Sequence, residues 1–142
     1  MNYEGFTLAW IDKASPSLKR SVHLRDYLME TKGQNISKAI YLEVDVIPSQ
    51  QNDEARYVTE ISKDPKHPTV AGVISGRPEN EGFKKYIDQY KDNKDIQGLR
   101  RLLDTTPSGF CLQPQLIQSV ASFAQLHKPF EITHTPNHTT VH

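Results

Sequence analysis

The stretch that decides the fold runs from Lys38-Ala-Ile-Tyr-Leu-Glu-Val-Asp-Val46, through Gln50 to Ser62, to Thr69-Val-Ala-Gly-Val-Ile-Ser75. The first run is rich in β-branched and aromatic residues and stops at Pro48, which predicts a strand. In the second, Ala55, Val58 and Ile61 fall on one face of a helix, and Asp64-Pro65 and His67-Pro68 break it. The third is a short apolar run of the kind that a buried strand requires. Strand, helix and strand in this order form a βαβ unit, whose two strands lie parallel.

The alternation continues outward from this unit. Gly82 to Tyr90 reads as a helix with Phe83, Tyr86, Ile87 and Tyr90 at helical spacing. Ile96 to Leu103 supplies the next strand. Pro114 opens a helix to about Leu126, with Leu116, Ile117, Val120, Phe123 and Ala124 as its apolar face, and Phe130 to Thr133 gives a fourth strand. Upstream, Ser21 reads as the N-cap of a helix from Val22 to Lys32 that Gly33 closes. Successive strands begin roughly 26 to 34 residues apart, close to the ~31 residues per unit of a ~250-residue barrel. The pattern alone allows a small open doubly wound sheet or about half of a barrel. No GxGxxG or Walker A run follows any strand, which weakens a nucleotide-binding version of the open sheet.

Composition narrows the function classes. The 142 residues carry 17 Lys+Arg and 17 Asp+Glu, so there is no excess of basic residues of the kind that marks a nucleic-acid interface. No stretch approaches the ~20 apolar residues of a membrane span, and Met1 to Gly5 lacks the pattern of a signal peptide. Cys111 is the single cysteine. Internal disulfides are thereby excluded, and a reducing, cytoplasmic setting is the expectation.

Several separated motifs carry a resemblance. Tyr41-Leu-Glu-Val-Asp-Val46 with Pro48-Ser-Gln-Gln51 and Asp53-Glu-Ala-Arg-Tyr-Val58 resembles the second unit of the amidohydrolase-related, lactonase-like TIM-barrel hydrolases. Ala71-Gly-Val-Ile74 is similar to their third strand, and Ile96-Gln-Gly-Leu-Arg-Arg-Leu-Leu103 to their fourth. Phe110-Cys-Leu-Gln-Pro114 is similar to a loop of the group, and Leu8-Ala-Trp-Ile-Asp12 with Asp26-Tyr-Leu28 to the stretch between its first two strands. The resemblance covers about Leu8 to Phe123. It implies hydrolysis of a lactone or similar cyclic ester of a small sugar acid or dicarboxylate. Many members bind a divalent, zinc-like metal through a His-x-His pair on the first strand, and others work without one. No His-x-His occurs in this chain, so no metal ligand and no cofactor are assigned to it, and a metal would belong to a full-length form.

The active site of a parallel barrel lies at the carboxyl ends of its strands. Glu43, Asp45, Arg77, Arg100, Arg101 and His134 fall near that rim. Alternation along the strand places Glu43 and Asp45 on one side, where they are read as acid and base, or one of them as a helper in holding a metal; in the structural reading Glu43 pairs with a neighbouring Arg. Arg100 is read as a substrate-binding fork for a carboxylate or lactone oxygen, with an ion pair to Glu43 or Asp45 as the alternative. Arg77 is the second substrate-binding candidate, set against a plain solvent-facing loop arginine. Arg101 reads as structural and Cys111 as a buried thiol. Trp10 is expected to cover one end of the barrel in full-length relatives. His134, His138 and His142 are spaced four apart, but the residues between them do not support a helix that would hold a metal. His23 and His127 are expected on helices.

The expectation is an α/β fold of repeating βα units with a parallel sheet, about half of a TIM barrel, over residues 1–127. Residues 128–142 are expected to form a divergent, irregular tail. The chain is read as truncated and incomplete as a catalyst, so its status as an enzyme is left open. The partner expected for a full-length form is a small-molecule substrate, with neither nucleic acid nor membrane. The alternative is a non-catalytic half-barrel acting by self-association, as a homodimer or with a complementing half-barrel.

Overall fold

The computed structural model describes residues 5–134. Its regular elements are α1 (Leu24–Glu30), β1 (Ala39–Leu42), α2 (Gln51–Lys63), β2 (Thr69–Ser75), α3 (Phe83–Asp88), β3 (Ile96–Leu102), α4 (Pro114–Ala124) and β4 (Phe130–Thr133). All three strand pairings are parallel, and the order in the sheet is β1-β2-β3-β4.

Two observations separate a barrel from a doubly wound sheet. The strand order never reverses, whereas a doubly wound sheet turns back at a switch point. The helices also share one face. Ala55 and Val58 of α2, Phe83, Tyr86 and Ile87 of α3, and Phe123 of α4 meet Ile74, Ile96 and Leu99 of the sheet in a single buried cluster. A doubly wound sheet divides its helices between two faces. The sheet is an α/β half-barrel, with its helices on the outside.

Close approach explains two strand glycines. A Cβ on Gly72 would collide with Val58 Cγ1, so its absence lets α2 lie on β2. A Cβ on Gly98 would stand 2.8 Å from the Pro129 carbonyl oxygen, part of the backbone that leads into β4. Gly98→Ala is therefore expected to displace β4 and cost about 1–3 kcal/mol, seen as a lower urea midpoint. An unchanged midpoint would mean that β4 contributes nothing to the cooperative unit.

Several expectations shift. The strand read from Lys38 to Val46 stops at Leu42, and Asp45 takes a left-handed φ of 51°. The first helix starts at Leu24, because the cap is His23: its backbone N–H donates to Asp26 Oδ2 at 2.8 Å, and its carbonyl accepts the N–H of Asp26 at 3.0 Å. His127 lies beyond α4 with φ 53°, and His23 caps α1 from outside it. Only Leu116 and Phe123 of the apolar face expected for α4 are buried, with Ser119 beside them; Ile117 and Ala124 are exposed. Cys111 is half-buried on a short 3-10 turn, so it is not the buried thiol expected. Residues beyond 127 are tied to the sheet. The Lys128 ammonium donates to the carbonyls of Tyr90, Asn93 and Ile96 at 2.6–2.9 Å, and Phe130–Thr133 is β4. His138 and His142 lie outside the described residues.

Candidate functional site

The carboxyl end of β1 gathers the candidate chemistry. Glu43 follows the strand and its backbone N–H still donates to Val73 at 2.9 Å. Val44 and Val46 then join Leu8 and Ile11 in a second buried cluster, with Trp10 packed against it. Trp10 Nε1 donates to the Val44 carbonyl at 2.8 Å, so the indole is fixed beside the carboxyl end of β1. An open cavity of about 410 Å³ lies here, lined by Trp10, Glu43, Val44 and Asp45 on one side and by Leu102, Asp104 and Thr105 on the other.

Glu43 is only 6% exposed. Its Oε2 accepts the N–H of Asp45 at 2.7 Å, while Oε1 is buried with no hydrogen-bond partner. A buried carboxylate with one oxygen unpaired loses its hydration without replacement, which favours the neutral acid. Burial accordingly pushes Glu43 up to about 7, with the Glu54 and Asp45 charges adding to the rise; the Asp45 N–H and Arg100 oppose it. A carboxyl poised near neutrality, at a cavity, is suited to take up and give back a proton.

Asp45 takes a different course from the one alternation implied. Its left-handed backbone breaks the pleat, and its carboxylate meets Arg77 Nη2 at 3.3 Å. The same Nη2 donates to the Val46 carbonyl at 2.8 Å. Arg77 therefore does not face solvent: its side chain is 13% exposed and clamps the turn after β1. Arg100 pairs with Glu131, not with Glu43 or Asp45: Nε and Nη2 reach one carboxylate oxygen at 2.9 and 2.6 Å. Neither Arg77 nor Arg100 lines the cavity. The structure thus brings Glu43 and Asp45 together and sets the two candidate substrate arginines to one side. Arg101 forms a partly buried pair with Glu79 at 2.6 Å, and the Phe110 ring centre lies 5.8 Å from its guanidinium carbon.

Three residues at this rim were not singled out from the sequence. Asp104 and Thr105 follow β3 at its carboxyl end, the same positional signal that marked Glu43. The third is Glu54, which is fully buried on α2. It accepts the N–H of Val44 at 3.0 Å, the N–H of Ser75 at 3.1 Å, the hydroxyl of Ser75 at 2.7 Å and that of Tyr41 at 3.3 Å. Its carboxylate joins the ends of β1 and β2 and holds the backbone on which Glu43 and Asp45 sit. The signal was an acid one turn ahead of Val58 on the apolar side of α2.

Among the described residues no three His, Cys, Asp or Glu side chains converge as a metal would need, and no helix is long and apolar enough to cross a membrane. Compared with family models, curated proteins and solved structures, the chain matches none.

Proposed function

We propose that this chain carries an acid–base element of a hydrolase, of the lactonase-like kind that its sequence resembles. The observation that carries the reading is Glu43: buried, with one oxygen unpaired, shifted to about 7, and lining a cavity at the carboxyl end of a parallel strand. This is the end of the sheet where barrels of this type place their chemistry.

In this reading the carboxylate of Glu43 takes a proton from a water as its oxygen adds to the lactone carbonyl. The proton then passes to the ring oxygen as the acyl–oxygen bond breaks, leaving a hydroxy acid. Trp10 and Leu102 supply apolar walls, and Asp104 and Thr105 supply polar contacts for a hydroxylated substrate. The zinc-like ion used by many members of the resembled family finds no complete ligand set among the described residues, so no step is routed through it. The substrate class, a sugar-acid or dicarboxylate lactone, rests on the resemblance.

The test is release of acid from a panel of sugar-acid and dicarboxylate lactones, followed across pH. Wild type is expected to show a rise in kcat/KM with an apparent pKa near that of Glu43, and Glu43→Gln to lose about 10²–10⁴-fold. No turnover of any lactone by the wild-type chain, or full activity in Glu43→Gln, would end the proposal.

A further inference from the structure

The structure holds a second cavity, of about 430 Å³, along β1, reaching Pro68 and Thr69 at the start of β2 at one end. Leu24 and Tyr27 of α1, Ile40 and Leu42 of β1, and Tyr57 and Ile61 of α2 line it. Ala39 and Glu43 donate toward β2, to Pro68 and Val73. Strand alternation then turns the N–H and C=O groups of Ile40 and Leu42 outward, into this groove. Helix α1 has no buried residue, and Leu28 and Met29 are 48% and 73% exposed. Ile40 and Leu42 are 59% and 44% exposed. A helix and a strand edge with apolar side chains and outward backbone groups frame a slot in which another strand can pair.

We infer that the slot is filled by β4 of a second copy of this chain, reciprocally, so that two half-barrels close into one eight-stranded barrel. Three features select that occupant. First, β4 is the other terminal strand of the sheet and has the same four-residue length as β1. Second, Leu99 and Leu103 donate to Pro129 and Thr133, so the backbone groups of Phe130 and Ile132 face outward, and Ile132 is 42% exposed. Third, a two-fold rotation about the barrel axis preserves strand direction. It sets β4 parallel to β1 of the second copy, as every existing pair is parallel, and yields the order 1-2-3-4-1-2-3-4. Eight strands enclose an interior that side chains just fill. Both open edges and the exposed inner face are covered in one step, and the contact is isologous and closed. This inference stands independently of the hydrolase reading.

The experiment is sedimentation of the full 142-residue chain from micromolar to millimolar concentration, beside two variants. Wild type is expected to reach twice the 16.2 kDa chain mass and to stop there. Ile132→Pro removes an N–H that faces away from β3, a position where an edge strand tolerates proline; it is expected to stay folded by circular dichroism and to sediment as a monomer. Ile40→Lys, at an exposed site on the opposing edge, is expected to do the same and serves if the proline variant fails to fold. A wild-type monomer at all concentrations would overturn the inference, as would growth beyond the dimer or a dimer that survives Ile40→Lys. Stable 1:1 pairing with a different polypeptide in place of itself would overturn it too.

Discussion

Glu54→Ala is expected to lower the unfolding free energy by about 3–5 kcal/mol. Alanine leaves the Val44 and Ser75 N–H groups, two backbone donors in the interior, without an acceptor. It also strands the Ser75 and Tyr41 hydroxyls and opens a cavity where a fully buried side chain had been. Each buried donor left unpaired costs about 1–3 kcal/mol; the hydroxyls can turn to new partners, but the N–H groups cannot. Against a typical stability of about 5–15 kcal/mol, the loss brings the fold close to failure. Glu54→Gln keeps one acceptor oxygen and the side-chain volume and is expected to cost less, its remaining cost coming from an amide NH2 that meets one backbone N–H donor to donor. Urea unfolding of the three proteins at one pH measures this. Equal stabilities would mean that the β1 and β2 ends are held by packing alone.

The second large effect is a pH dependence. The Glu43 carboxyl binds its proton more tightly in the folded chain, at about 7 against an ordinary 4.5. Between these values the folded state carries more protons than the unfolded one, so stability falls as pH rises. The contribution is fully present below pH 4.5 and lost on passing through about pH 7; a displacement of this size is worth about 3 kcal/mol. Glu43→Gln has no proton to lose and is expected to lack this component. The comparison is the change in unfolding free energy between pH 5 and pH 8 in each protein, which cancels the histidines common to both. Parallel pH profiles would show that the site takes up the charge without penalty, and the acid–base role would lose its basis.

Much of this fold was legible from the chain. The four strands and the helices between them follow from runs such as Thr69–Ser75 and from the helical spacing of Phe83, Tyr86 and Ile87, because side-chain periodicity is imposed by the backbone itself. Element ends were less legible. Ser21 reads as the cap in sequence, but the cap is His23, whose backbone N–H finds its acceptor in Asp26 Oδ2. The end of β1 was set by Asp45, whose left-handed backbone no periodicity announces.

The site was legible in kind and less so in its partners. Glu43 and Asp45 were marked by position, since a parallel strand delivers its last residues to one rim. Whom each charge meets depends on distances across the sheet. Arg100 found Glu131 on the neighbouring strand, and Arg77 turned inward to Asp45, across 31 and 32 positions of sequence. Local chemistry along the chain determined that this protein makes parallel βα units with carboxylates at one end. Only the tertiary structure decided that α2, α3 and α4 share one face, that Glu43 is the buried and perturbed acid, and that a cavity opens between α1 and β1. Burial and pairing are properties of surfaces brought together from distant segments, and no local pattern encodes them.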